Sequence, residues 1–204
     1  GIRFIRSIPL EKAMASTILA YEMNGAILPL KHGYPLRALA LGWTGANCVK
    51  WLSKITVLDR PYEGFFMDKV YRTFQKGEEP KSGEVVKDIN IKSIIVEPAI
   101  DDSFPAGIVP IRGAAYAGDA GIQQVEVSVD SGRTWNPANL IGLQETYAWR
   151  HWEYLWHAKQ KGEFTIMARA TDTDGRRQPD TAHWNMLGYG NNGIREHAVR
   201  IHIR

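Results

Sequence analysis

Residues 31–50 (KHGYPLRALALGWTGANCVK) concentrate the side chains that could do chemistry. His32, Arg37 and Lys50 are hydrogen-bond donors set among Gly33, Gly42 and Gly45. An arginine offers a planar, bidentate fork to phosphate, and a lysine offers a point charge. Glycines let backbone N–H groups come close to an anion. These residues suit a cradle for the phosphate of a cofactor. They equally suit a plain surface on which Arg37 and Lys50 are solvated and the glycines only turn the chain.

Cys48, the single cysteine, lies in the same stretch. With no second cysteine and no histidine at zinc spacing, it reads as a small packed side chain, and no metal ligand is expected here. The fragments DTDG (172–175) and YAGDAG (116–121) lack the twelve-residue calcium pattern and read as turns. No Asp/Glu acid–base pair stands out. A second concentration is YAWRHW (147–152), where Arg150 sits among aromatics. A charge there needs either a cation–π contact within a sheet face or an anionic ligand.

Composition narrows the function classes. The 204 residues carry 25 Lys plus Arg against 22 Asp plus Glu, a formal net charge of +3. That is too weak and too dispersed for a nucleic-acid binder, though it favours small anions or an acidic partner. There is no run of 18 apolar residues to span a membrane, and one cysteine forbids an internal disulfide. The opening GIRFIRSIPL has neither an initiator Met nor a signal-peptide core, so the chain is expected to be processed, trimmed or cut from something longer. Seven tryptophans call for large buried aromatic groups or a wide interface.

The elements that must position these residues differ between the two halves. Residues 10–21 have helical spacing after Pro9, and Asn24-Gly25 marks a turn. Residues 26–51 read as loops and short strands, and 49–57 have partial β patterning. Residues 59–89 read as a connector. Tyr62, Phe65, Phe66 and Tyr71 in its first part need cover, and Lys76 to Asp88 form an exposed loop. From residue 90 the pattern is β throughout. Strands are expected over 91–97, 108–117, 122–130, 147–156, 163–170 and 197–203, with a tight turn at Asp130-Ser131-Gly132 before Thr134-Trp135. About seven strands without helical periodicity predict an immunoglobulin-like β-sandwich, with a partly open barrel as the alternative. Trp184 and Asn185 are expected at a strand edge or interface. The first 60 residues bury too little apolar surface to fold alone, and are expected to be the tail of a larger domain or to lean on the sandwich. The expected divisions are 1–60, a connector over 61–89, and the sandwich over 90–204.

A string of segments then carries a resemblance: IPLEKA (8–13), AYEMNG (20–25), HGYPLR (32–37), GWTGANCVKW (42–51), EVSVDSGRTW (126–135), YAWRHW (147–152) and QPDTAHWN (178–185). In order and spacing these resemble the sulfite oxidase family of molybdenum enzymes over essentially the whole chain. The resemblance implies a mainly β chain: the C-terminal part of an α+β molybdopterin domain, then an immunoglobulin-like dimerisation domain. It implies that His32, Arg37, Cys48, Val49 and Lys50 contact a molybdopterin-type molybdenum cofactor, and that Arg150 belongs to the anion pocket for substrate. The implied reaction is a two-electron oxidation of sulfite or a similar small oxyanion, with electrons passed to a cytochrome-type haem protein. A homodimer and a periplasmic home are implied as well.

Three departures qualify this. The family's molybdenum-ligating cysteine lies upstream of the region represented, so a preceding portion or a separate chain is expected to complete the site. Phe4 stands where the family has a tyrosine, so no hydroxyl is available and turnover or substrate choice is expected to differ. Leu41 replaces a proline before Gly42, which relaxes a loop. The competing reading is a non-catalytic dimerisation or interaction module derived from the same family. A carbohydrate-binding sandwich using Trp152 and Trp156 as stacking platforms is a further alternative.

Overall fold

Helical spacing carries Leu10–Ser16 into α1 of the computed structural model, which describes residues 2–204. The helix was expected to reach residue 21 but stops at Ser16. Thr17 and Ile18 are β-branched, lose rotamer freedom in a helix, and instead begin a strand, β1 (Thr17–Ala20). Asn24 and Gly25, both at positive φ, turn β2 (Glu22–Met23) back onto β3 (Ala26–Ile27). β1 pairs antiparallel with β4 (Arg37–Ala40). Beyond Val49, which bridges Ala38, residues 52–58 form no strand, and Ile55 and Val57 stay exposed. Lys76 to Asp88, expected to be an exposed loop, is mostly exposed but contains a short strand. β5 (Arg72–Thr73) pairs with β6 (Glu84–Val85), and Val86 is buried, its N–H donating to Tyr71 O.

The described residues divide into two compact units. One runs up to Ile89 and includes Trp184–Tyr189; the other comprises Asn90–His183 and Gly190–Arg204. Trp184 and Asn185 are therefore not part of a strand in the second unit. Asn185 is buried and closes a loop, donating to Tyr189 O at 2.7 Å and accepting from Tyr189 N at 3.0 Å. No helix among the described residues is long and apolar enough to cross a membrane.

The second unit is a sandwich of two sheets built from β7 (Lys92–Glu97), β8 (Ser103–Phe104), β9 (Gly107–Tyr116), β10 (Ile122–Ser128), β11 (Asn136–Pro137), β12 (Asn139–Ile141), β13 (Arg150–Ala158), β14 (Gly162–Asp172) and β15 (Val199–Ile203). One sheet has the order β11-β10-β14-β15-β8, the other β12-β13-β9-β7. All neighbours are antiparallel except β15 and β8. The two inner faces supply one core, in which Val109, Ile111, Val125, Val127, Ile166 and Ile201 are almost completely buried. That core is the apolar half of a period-two alternation, as in aligned sandwiches. Trp152 is fully buried and Trp156 nearly so, which rules out the carbohydrate-stacking role. Trp152 also explains Gly113: a Cβ there would lie 2.2 Å from the indole and 2.1 Å from Ile94 O. Gln178 ties the layers together, its Oε1 accepting from Ser93 N of β7 at 2.8 Å and Ala170 N of β14 at 3.3 Å.

Candidate functional site

Pro29 starts a 3-10 turn over Leu30–His32, and Gly33 ends it at φ 114°, a conformation that favours glycine. A Cβ on Gly33 would stand 3.1 Å from the Cβ of Lys50 and 3.2 Å from the Cβ of Arg37. The turn, the start of β4 and the Lys50 segment thus meet at one backbone position. Their pairing comes from a 2.8 Å bond from Ala38 N to Val49 O, which sets Lys50 alongside Arg37.

Three side chains then clamp the carbonyls of the turn. Trp51 Nε1 donates to Leu30 O at 3.0 Å, Lys50 Nζ to Lys31 O at 3.0 Å, and Arg37 Nη1 to His32 O at 2.9 Å. The Lys50 ammonium also lies 5.2 Å from the centre of the Trp51 ring. His32 and Lys50 are exposed, while Arg37, Cys48 and Val49 are half-buried. The Nε of Arg37 is buried without a partner. A buried donor left unpaired is costly unless a ligand or water completes it. The sequence contains no Asp or Glu between Glu22 and Asp59, so no carboxylate from that stretch competes with an incoming anion. The five residues His32, Arg37, Cys48, Val49 and Lys50 are therefore brought together, and their donor set, cationic and rich in N–H, fits an anionic, phosphate-bearing group. Among the described residues, no group of three or more His, Cys, Asp or Glu side chains is placed to hold a metal ion.

Arg150 is in the other unit. It opens β13 opposite Ala115, and its Nη1 donates to Gly142 O. Its Nε is also buried without a partner. Beside it, the rings of Tyr116 and Trp149 lie 5.5 Å apart, and Trp149 is half-exposed. The guanidinium is thus held at one end and has bonding capacity left at the other.

Sequence reasoning missed Arg6 and Asn47. Arg6 Nη2 donates to Asn47 Oδ1 at 2.8 Å and Nη1 donates to Phe66 O. Asn47 is buried and passes its own amide protons to Val86 O at 3.0 Å and Thr44 Oγ1 at 3.1 Å. Burial pushes the Arg6 guanidinium below the usual arginine range; Tyr71 opposes this and the nearby Arg72 charge adds to it. The available signal was a cation inside the run FIRSIP, which is otherwise apolar except for Ser7. Phe4, two residues earlier, packs on Phe66 at 4.8 Å and Tyr71 at 6.2 Å between ring centres.

Residues 1–66 match the Oxidoreductase molybdopterin binding domain, and residues 83–203 match the Mo-co oxidoreductase dimerisation domain. The mitochondrial sulfite oxidase of Rattus norvegicus is 34% identical over 225 residues, covering 100% of this chain and 40% of that protein. The human mitochondrial enzyme is likewise 34% identical over 224 residues. The crystal structure of the sulfane dehydrogenase SoxCD from Paracoccus pantotrophus superposes with a TM-score of 0.82 at 29% identity, over 92% of this chain and 49% of that one. The chain spans about two fifths of the length of these curated sulfite oxidases.

Proposed function

The chain belongs to the Mo-co oxidoreductase dimerisation domain family, related to sulfite oxidase, and on that premise we propose that it forms part of a molybdenum-dependent oxidoreductase. The observation that carries this reading is the Gly33 junction, where Arg37 and Lys50 flank a turn and the Arg37 Nε is left with an unfilled bond. Arg37, Lys50 and the His32 segment would hold the phosphate-bearing part of a molybdopterin cofactor, with Cys48 and Val49 in contact beside them. When bound, that group supplies a two-electron oxidation with oxygen-atom transfer, and the electrons leave to a haem protein. The chain's own contribution is to bind and orient: Lys50 and Arg37 neutralise phosphate charge, and Arg150 offers guanidinium N–H groups to a small oxyanion.

Sulfite is the leading substrate. Because SoxCD is described as a sulfane dehydrogenase, a sulfane belongs beside sulfite in the substrate panel. A homodimer through the 90–204 sandwich, a cytochrome-type acceptor and a periplasmic location complete the reading. The alternative, a non-catalytic interaction module, is favoured by one observation: Phe4 packs on an aromatic cluster and has no hydroxyl to donate.

The deciding measurement is the molybdenum and pterin content of the protein purified with whatever chain accompanies it, followed by sulfite- or sulfane-dependent reduction of cytochrome c. Cofactor near one equivalent, lost in Arg37→Ala, is the expected result. An empty protein that is folded and dimeric would favour the interaction module.

A further inference from the structure

Arg6 joins three parts of the first unit that are far apart in sequence. Its fork spans Phe66 O and Asn47 Oδ1, and its guanidinium lies 5.2 Å from the centre of the Tyr71 ring. Among the described residues no carboxylate is within ion-pair distance of it, so the fork is not there to serve a salt bridge. Asn47 ends the 3-10 turn Gly45–Asn47 and directly precedes Cys48, whose N–H donates to Gly45 O at 3.0 Å. Through its amide, Asn47 fixes that turn to Thr44 and Val86. Phe4 and Arg6 stand two residues apart and both reach Phe66 and Tyr71, Phe4 through the two rings and Arg6 through the Phe66 carbonyl and the Tyr71 ring.

We propose that Arg6 is a positioning residue of the cofactor site. Through Asn47 it sets the turn that delivers Cys48, Val49 and Lys50, and it holds Phe4 in register with that turn. The assignment rests on the cofactor reading given above. The planar fork presents one N–H group to each acceptor in a fixed geometry, which a lysine ammonium lacks. Groups that orient the residues touching a cofactor typically change its affinity or turnover about 10- to 100-fold when removed.

The test uses the full natural holoprotein with Arg6→Met, Arg6→Lys and the surface control Arg3→Met. Cys48 is the only cysteine of these 204 residues, so the maleimide labelling rate of the peptide that contains it, followed by mass spectrometry, reports the geometry of the 45–48 turn without reference to activity. The expected result in Arg6→Met is Cys48 labelling about 10-fold faster and molybdenum and pterin retention about 10-fold lower. The absorption spectrum per mole of bound molybdenum should also shift, which a general loss of stability would not cause. Arg6→Lys should fall between, and it carries the test if the methionine variant does not fold. Arg3→Met should match wild type. Labelling and retention within twofold of wild type in both Arg6 variants, on a wild type that is loaded, would overturn this assignment alone. A wild type with neither molybdenum nor pterin would overturn the functional reading and this assignment with it.

Discussion

At the scale of single residues, the candidate site depends on one atom that is missing. Gly33 has no Cβ, and the space that atom would take is crowded by the Cβ of Arg37 and the Cα and Cβ of Lys50, 3.1–3.2 Å away. Its φ of 114° adds a second reason for glycine. Arg37 and Lys50 are useful to an anion only while both stay against the same turn. A Gly33→Ala chain must therefore either strain the turn or move one of the cations. The left-handed backbone alone costs roughly 1–2 kcal/mol for a residue with a Cβ, so Gly33→Ala should unfold at correspondingly lower urea. Cofactor content should fall further than stability does, because the two cations part before the unit unfolds. An unchanged urea midpoint together with unchanged molybdenum content would show that the turn has room to spare and that the junction does not define the site.

At the scale of elements, the turn from β10 to β11 shows how side chains replace backbone pairing. Asp130 Oδ1 accepts from Ser128 Oγ at 2.7 Å and from Thr134 N at 2.9 Å, and Oδ2 accepts from Thr134 Oγ1 at 2.6 Å. Desolvation alone would raise the Asp130 pKa, but these hydrogen bonds to the ionised form outweigh it and lower it from 3.8 to about 2. A folded-state pKa below the unfolded value means the contribution is fully present above pH 3.8 and is lost as pH falls toward about 2. Melting temperature followed from pH 5 to pH 2 should therefore drop less steeply in Asp130→Asn than in wild type, with the variant already lower at pH 5. Parallel curves would refute the role given to the carboxylate. This turn was legible as Asp-Ser-Gly ahead of Thr-Trp, since the residue types name the geometry. The sandwich strands were legible for a similar reason: Val125 and Val127 alternate with polar neighbours, and a one-residue slip would expose both. The short strands at 103–104, 136–137 and 139–141 were not, because two or three residues carry no period and form only where a longer neighbour offers an edge. The helix ran past its true end on paper because Thr17 and Ile18 fit both periods, and only β4, twenty residues on, decides between them. In the candidate site, His32, Arg37 and Lys50 could be picked by charge and glycine context. Arg6 stood out only as a cation in FIRSIP, and its role was not legible, because its partners Asn47 and Phe66 are 41 and 60 residues away and nothing local marks them.

At the scale of the whole molecule, the charge is unevenly shared between the two units. Residues 1–89 carry 13 Lys plus Arg against 9 Asp plus Glu, whereas residues 90–204 carry 12 against 13, and residues 184–189 carry none of either. The positive excess is thus confined to the unit that holds His32, Arg37 and Lys50. In the sandwich many cations are already spent on carboxylates, as in Arg169 with Glu126, Arg112 with Glu97 and Glu153, and Arg200 with Asp101. Apart from the part-buried Arg169–Glu126 pair, such exposed pairs add little stability, but they leave the sandwich electrically quiet. A field of one sign around a site raises the encounter rate of an oppositely charged substrate, and salt screens it over about 10 Å at 0.1 M. If the substrate is a small dianion, kcat/KM should fall by roughly threefold or more between 10 and 150 mM ionic strength. The decline should lie in kcat/KM and not in kcat, because saturation removes the encounter step. Charge reversal at Lys54, an exposed residue of the first unit outside the proposed contacts, should flatten the curve without changing kcat. A kcat/KM that is flat with salt would mean the substrate is not gathered by charge, and would move the choice from a free oxyanion toward a substrate presented by a partner.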